Sequence, residues 1–148
     1  ALCHGGRLQK TKPSFSFTAG ESLADYFKVD TTAPNSATID VHGNQYGLLR
    51  ASKCFIASDM TCNTCHDVHK NEKNKKALFS SRCMTCHSEA HNNICPMAKS
   101  IGKNIVSNCI DCHMPLLPSR AIAVFLPGNP TPTAAMIRSH LIAVYKDK

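Results

Sequence analysis

Apolar side chains recur at three- and four-residue intervals in short segments of this chain, a spacing that is typical of α-helix. The predicted helices span residues 21–28, 45–54, 96–107 and 133–145. Pro96 suits the first position of the third helix, and Thr133 can cap the last one. On that last helix Met136, His140 and Val144 would stand four residues apart, which places His140 within an apolar face.

Polar and proline-rich stretches separate these helices. Residues 7–20 and 29–38 are predicted loops, and five prolines between 115 and 132 predict another, with 121–125 as a short extended stretch. The expected fold is mainly α with extensive loops and little or no sheet. The length predicts a single domain over residues 1–148, with residues 1–40 loosely packed.

The composition does not supply an ordinary hydrophobic core. The chain has no Trp, 6 Phe and 3 Tyr, yet 9 Cys and 8 His among 148 residues. This imbalance indicates that a cofactor fills much of the interior. The longest uninterrupted apolar run, at 121–126, is too short to cross a bilayer.

Six of the cysteines form one five-residue pattern, C-x-x-C-H, three times. The three copies are Cys62-Asn63-Thr64-Cys65-His66, Cys83-Met84-Thr85-Cys86-His87 and Cys109-Ile110-Asp111-Cys112-His113. The pattern is the attachment signature of c-type haem. Two thiols at this spacing can each add to one vinyl group of the same porphyrin, and the histidine that follows can ligate the iron. The sequence therefore predicts thioether-bound haem c at each copy, with His66, His87 and His113 as proximal ligands.

Zinc is the competing interpretation of the same cysteines. The pairs Cys62/Cys65 and Cys83/Cys86 are separated by 17 residues, within the range of a zinc ribbon. A tetrahedral zinc site, however, does not need a histidine directly after each second cysteine. Three such placements would arise by chance with a probability on the order of 10⁻⁴. Haem is therefore the favoured cofactor.

Cys3 and His4 resemble the second half of a fourth motif whose first cysteine would precede residue 1. On this interpretation the chain is the C-terminal part of a longer protein, in which further haems can lie upstream. An unrelated Cys-His pair is the alternative. We expect a fourth haem, attached through Cys3 and ligated by His4.

The number of histidines agrees with four haems. Two axial imidazoles for each of four haems require eight histidines, and the chain has 8. The predicted distal ligands are the histidines outside the motifs: His42, His69, His91 and His140. His69 and His91 follow a proximal histidine so closely that each should ligate a different haem, which would tie the sites into a cluster. For His140, a core position without a ligand role is the alternative.

Ligation by two imidazoles leaves no open position on the iron, which suits electron transfer rather than substrate chemistry. Any of 5 methionines could instead replace one histidine and raise the potential of that haem. We interpret the methionines mainly as packing residues. No histidine remains for a separate catalytic site.

Cys54 and Cys95 lie outside the motifs. A disulfide between them would close the chain around the first two full motifs and stabilise a fold with little regular structure. Two buried thiols are the alternative. Because haem is attached covalently after export, we expect an oxidising location outside the cytoplasm, in the periplasm or at the cell surface of a prokaryote.

The formal charge of +7 is compatible with several kinds of partner. Four haems would add about eight propionate charges, which leaves a net charge of roughly −1 when reduced and +3 when oxidised. The basic side chains are therefore interpreted as balancing propionates, and no nucleic-acid motif accompanies them. The charged run at 70–76 is interpreted as a solvated face, with a docking patch for an acidic partner as the alternative.

With these motifs the chain resembles the multihaem c-type cytochromes. It is most similar to the compact tetrahaem cytochromes of bacterial nitrogen respiration and to modules of longer multihaem chains. The likeness rests on Lys53-Cys54, on the segments 60–69 (MTCNTCHDVH) and 109–115 (CIDCHMP), and on Arg138-Ser139-His140. It implies a mostly helical, loop-rich wrap around stacked haems that lie close enough for electrons to hop between them.

The expected function is electron transfer between redox proteins outside the cytoplasm, without enzymatic activity. One alternative is a haem-based reductase of a small nitrogen or sulfur oxyanion, which requires one distal histidine not to ligate. Another is a repeating subunit of a cytochrome filament or a cytochrome subunit of a larger respiratory complex, whose partners would be copies of itself or other cytochrome subunits.

Overall fold

The computed structural model of the protein describes residues 8–29 and 44–145. Within these ranges the strands are β1 (Leu8–Lys10), β2 (Phe27–Val29), β3 (Leu116–Val124) and β4 (Thr133–Arg138). The α-helices are α1 (Gln45–Arg50), α2 (Lys53–Ile56), α3 (Cys62–Cys65), α4 (Lys76–Met84), α5 (Ala98–Ile101) and α6 (Cys109–His113). Short 3₁₀ helices lie at Leu23–Asp25, Glu89–His91 and Lys103–Ser107.

The chain divides into two compact units. The first unit consists of residues 1–56 and 116–142, and the second of residues 57–115 and 143–148. The expectation of a single domain stays a prediction.

The two sheets overturn the prediction of a mainly helical protein with little or no sheet. Each sheet is an antiparallel pair, β1 with β2 and β3 with β4. Both pairs belong to the first unit, whereas the regular elements described in the second unit are helices. The fold is therefore mixed α and β.

The larger sheet occupies the place where a proline-rich loop and a terminal helix were predicted. Leu116 pairs with Arg138 and Val124 with Thr133, and a register shift separates Pro118 from Ala123. Pro118 is tolerated because a two-stranded sheet consists of edge strands, where a missing N–H need not break the ladder. The predicted helix at 133–145 was wrong because pairing with a second strand outweighed a four-residue spacing of apolar positions. The predicted loop persists only between the two strands.

The smaller sheet replaces a predicted loop and a predicted helix near the N-terminus. Residues 8–10 pair with residues 27–29, so that Leu8 lies opposite Val29. The ring of Phe17 packs edge-on against Tyr26 at a centroid distance of 5.4 Å, and the Tyr26 hydroxyl donates to Glu21 at 2.6 Å. Of the helix predicted at 21–28, only a 3₁₀ turn at Leu23–Asp25 forms.

Two other predicted helices form but are interrupted. The helix expected at 45–54 becomes α1 and α2, with Ala51 and Ser52 between them. The helix expected at 96–107 becomes α5 and a 3₁₀ segment, because Gly102 adopts a φ of 78° that leaves the helical region. Apolar periodicity located these segments correctly but did not predict their breaks.

Among the described residues, the buried hydrophobic side chains are Leu48, Leu49 and Ile110. Two of them lie on α1, whose first turn is capped by the Asn44 side chain, which accepts from the Gly47 amide at 2.9 Å. A Cβ at Gly47 would stand 2.6 Å from Nδ2 of the Asn44 side chain, so this position requires glycine while the cap is in place. The cap thus fixes where α1 begins, and with it the position of Gln45, the first residue of the helix.

Ser52 connects α1 to the segment after β4. Its side chain is buried, and its hydroxyl oxygen accepts from the Ile142 amide at 2.8 Å. The hydroxyl proton has two carbonyl acceptors within reach, Leu48 at 3.3 Å and His140 at 3.2 Å. A single buried hydroxyl therefore holds residues 140–142, which follow β4, against α1.

Replacing Ser52 by alanine is expected to lower the free energy of unfolding by about 1–3 kcal/mol, because the Ile142 amide would be left without its acceptor. Denaturant unfolding measures the loss. The control is Ser81→Ala, which removes an exposed hydroxyl that donates within α4 to Leu78, and which should cost less than about 0.5 kcal/mol. Equal losses from the two variants would contradict this account of Ser52.

Across the described part of the chain, no helix is both long enough and apolar enough to span a membrane.

Candidate functional site

Each of the three full C-x-x-C-H motifs folds into a helical turn. The first and third motifs form α3 and α6, and the second begins in the last turn of α4. In the first two motifs the histidine amide donates to the carbonyl of the first cysteine, at 2.9 Å for His66 and 3.0 Å for His87. Residues three apart on a helical turn share one face. The local fold therefore puts both thiols of each motif on the same side.

The thiols of these motifs are accessible to a ligand. In every pair one cysteine is exposed and the other is half-buried. The imidazoles of His66 and His87 are exposed, and that of His113 is half-buried. Paired accessible thiols with an adjoining imidazole are the donor set that haem c requires, so these residues fit that group.

Helix α4 connects the three motifs within the second unit. Its residue Cys83 starts the second motif, and its Arg82 side chain donates to the carbonyl of Cys65 in the first. The buried Ser80 hydroxyl accepts from the Cys109 amide at 3.1 Å, and Lys76 pairs with Asp111 at 3.0 Å, both in the third motif. One helix thus positions all three motifs. The sequence analysis predicted no helix at these residues.

His113 is held so that one particular ring nitrogen can bind a metal. Its Nδ1 lies 2.9 Å from the carbonyl oxygen of Ala143, and its own carbonyl accepts from the Ala143 amide at 3.1 Å. A carbonyl can only accept, so Nδ1 carries the proton and Nε2 carries the lone pair. Metal-binding histidines are usually oriented by such a bond from the other ring nitrogen.

His140 is held in a similar way within the first unit. The Gln45 side-chain oxygen accepts from the His140 amide at 3.0 Å and lies 2.8 Å from its Nδ1. Because a backbone amide can only donate, this Gln45 atom is the oxygen, and Nδ1 must therefore be the protonated nitrogen. The lone pair is again on Nε2. The prediction that His140 lies on a helix was wrong, since the residue follows strand β4. Its ring nevertheless has the tautomer that a ligand needs.

The other predicted ligands are either exposed or outside the described residues. His69 and His91 are exposed; the His69 amide donates to the Asp67 carboxylate at 3.0 Å, and His91 ends a 3₁₀ helix. Cys3, His4 and His42 lie outside the described residues. The roles of these histidines as iron ligands stay predictions.

Cys54 and Cys95 are half-buried thiols in the structure. They belong to different units, and the disulfide between them stays a prediction.

The zinc interpretation gains no support from the described residues. They contain no group of three or more His, Cys, Asp or Glu side chains arranged to hold a metal ion. The four sulfurs of the first two motifs are thus not gathered as in a zinc ribbon. A haem iron takes only two ligands from the protein, so its site does not require such a group.

Glu72 is the most strongly perturbed acid next to the motifs. The Arg82 guanidinium, at 2.5 and 2.7 Å from its two oxygens, lowers the pKa of Glu72 from 4.5 to about 2, with a further contribution from the Asp67 amide. Lys70, 2.9 Å from Asp67, lowers the pKa of that carboxyl as well, and the His69 amide adds to the effect. Both acids next to His66 are therefore held in their charged form.

Replacing Glu72 by glutamine is expected to lower the melting temperature at pH 7 by about 5–10 °C, because Arg82 loses its charged partner. A depressed pKa adds stability that is complete above pH 4.5 and disappears as the pH falls toward 2. The difference between the wild type and the variant should therefore shrink over that interval in thermal melts. Glu89→Gln, which changes an exposed acid, serves as the control. A difference that does not vary with pH would contradict this role.

Four supporting residues escaped the sequence analysis: Gln45, Glu72, Ser80 and Arg82. The only signal for Glu72 was that it is the single acid in the lysine-rich run 70–76, and Arg82 is notable only for preceding Cys83. Gln45 and Ser80 had no signal, since their roles depend on contacts with residues 95 and 29 positions away.

The chain matches no protein-family model, no curated protein and no solved structure.

Proposed function

We propose that this protein is a multihaem c-type cytochrome that relays single electrons between redox proteins outside the cytoplasm. The observation that carries the proposal is the threefold C-x-x-C-H motif, each copy of which forms a helical turn with two accessible thiols and an adjoining imidazole. A bound haem would supply an iron that changes its charge by one electron. Cys62, Cys65, Cys83, Cys86, Cys109 and Cys112 would hold three haems, and Cys3 a fourth.

The tautomers of His113 and His140 support ligation by imidazole. In both residues an oxygen acceptor fixes the proton on Nδ1, so that the lone pair is on Nε2, the atom that would ligate iron. His113 would serve as a proximal ligand and His140 as a distal one. Each acceptor also fixes the plane of its ring, so that little rearrangement would accompany a change of redox state.

The exposed apolar side chains are consistent with a large apolar cofactor. Val68 lies two residues after His66, and Val144 follows Ala143, whose carbonyl accepts from the His113 ring. Their side chains are 69% and 76% exposed. Uncovered apolar area of this kind is unfavourable by about 25 cal/mol per Å². Porphyrin faces held by the motifs would cover such side chains and supply the core that the composition lacks.

Electron paramagnetic resonance of the ferric protein distinguishes an electron carrier from an enzyme. The proposal predicts only low-spin haem, and a reduced protein that does not bind carbon monoxide, because each iron has two protein ligands. A substantial high-spin fraction that binds carbon monoxide on reduction would contradict the proposal and favour the reductase.

A further inference from the structure

The segment between the first two motifs contains a nearly buried ion pair, between Glu72 of the loop and Arg82 of α4. The side chains of Glu72 and Arg82 are only 6% and 22% exposed. They meet through two parallel hydrogen bonds, Nη1 to Oε2 at 2.7 Å and Nη2 to Oε1 at 2.5 Å. This two-point geometry fixes the relative orientation of the groups as well as their distance.

The same two side chains also hold the peptide groups on either side of His66. Arg82 Nη1 donates to the carbonyl of Cys65, and Glu72 Oε2 accepts from the amide of Asp67 at 3.1 Å. Between these peptides His66 is extended, with φ −129° and ψ 133°. The ion pair thus restrains the backbone on both sides of one predicted iron ligand.

The ring of His66 is restrained from the same helix. It packs against Phe79 of α4 at a centroid distance of 5.1 Å, with the planes at 60°. The Arg82 guanidinium lies over the same phenyl ring at 5.4 Å. The backbone of His66 is therefore held by Glu72 and Arg82, and its ring by Phe79. Arg82 directly precedes Cys83, the first residue of the second motif.

We propose that Glu72 and Arg82 are positioning residues that orient the His66 imidazole toward its haem and couple the first motif to the second. This inference rests on the proposed function, since it assigns His66 the role of an axial ligand. The pair does not touch the iron. It acts by fixing the two peptides that set the direction of the imidazole, as groups outside the ligand set commonly do.

The charge-swapped double variant Glu72→Arg/Arg82→Glu tests this proposal. It keeps both charges and the opportunity for an ion pair, but it reverses the hydrogen-bonding roles. A carboxylate at position 82 cannot donate to the Cys65 carbonyl, and a guanidinium at position 72 cannot accept from the Asp67 amide. A role confined to charge pairing would survive the swap, whereas positioning through the backbone would not.

Two measurements on the haem-loaded protein report the result. In the swapped variant we expect amide exchange at Asp67 to be roughly tenfold faster, and one of the low-spin ferric resonance signals to change its g values. The milder variant Arg82→Lys keeps the charge but not the two-point geometry, and it should shift the same signal. It keeps the proposal testable if the swapped variant does not fold. Lys70→Ala, which removes an exposed ion pair to Asp67, is the control and should change neither measurement.

Wild-type exchange rates and signals in both the swapped variant and Arg82→Lys would overturn the positioning role. Wild-type protein that carries no haem would instead refute the proposed function, before any variant is compared. The two failures are therefore distinguishable.

Discussion

Replacing His140 by alanine is expected to convert one haem from low spin to high spin, which is a quarter of the iron if four haems are bound. The imidazole is oriented by Gln45, which accepts from Nδ1 at 2.8 Å and from the His140 amide at 3.0 Å. Alanine removes the Nε2 lone pair and leaves an open axial position. The high-spin ferric resonance, integrated against total haem, measures the change, and carbon monoxide should then bind to the reduced variant.

Gln45→Ala provides the graded comparison for His140. It retains the imidazole but removes its acceptor, so ligation should weaken by about 10- to 100-fold rather than disappear. The high-spin fraction should therefore lie between those of the wild type and His140→Ala. A His140→Ala protein that remains entirely low spin would show that His140 is not an axial ligand.

The double variant Cys109→Ala/Cys112→Ala is expected to lose one whole haem. This motif forms α6, contains the buried Ile110 and is anchored to Ser80 through the Cys109 amide. Without either thiol no thioether bond can form at this site, while the other motifs keep their thiols. Denaturing mass spectrometry of the intact chain should give a mass lower than the wild type by one haem.

Cys54→Ala/Cys95→Ala is the matched control, since it also removes two thiols but lies outside the motifs. It should keep every haem. If the predicted disulfide forms, this control should also be less stable by about 2–4 kcal/mol. Equal haem content in both double variants would contradict the assignment of Cys109 and Cys112.

The motifs could be predicted from the sequence because their chemistry is local. The two cysteines of each motif are three positions apart, and one helical turn brings them to the same face whatever surrounds it. In the first motif even the cap is local: the Thr61 amide donates to the Thr64 hydroxyl at 3.0 Å in a capping box. Local spacing therefore carried the part of the site on which the proposed function depends.

The sheets and the supporting residues could not be predicted because they depend on distant pairing. A spacing of four residues after Thr133 suggested a helix, yet pairing with Leu116–Val124 made this segment a strand. The partner that orients His140 lies 95 residues away in sequence. The periodicity wrongly placed His140 on a helix. The histidine count, which does not depend on the fold, still identified His140 as a candidate ligand.

The most direct test of the central claim is the intact mass of the native protein under denaturing conditions, taken together with its ferric absorption spectrum. Haem attached through thioether bonds stays on the denatured chain, whereas zinc and non-covalent cofactors dissociate from it. The proposal predicts a mass in excess of the polypeptide by four haems and a spectrum with only low-spin bands. A mass equal to that of the polypeptide alone would contradict it.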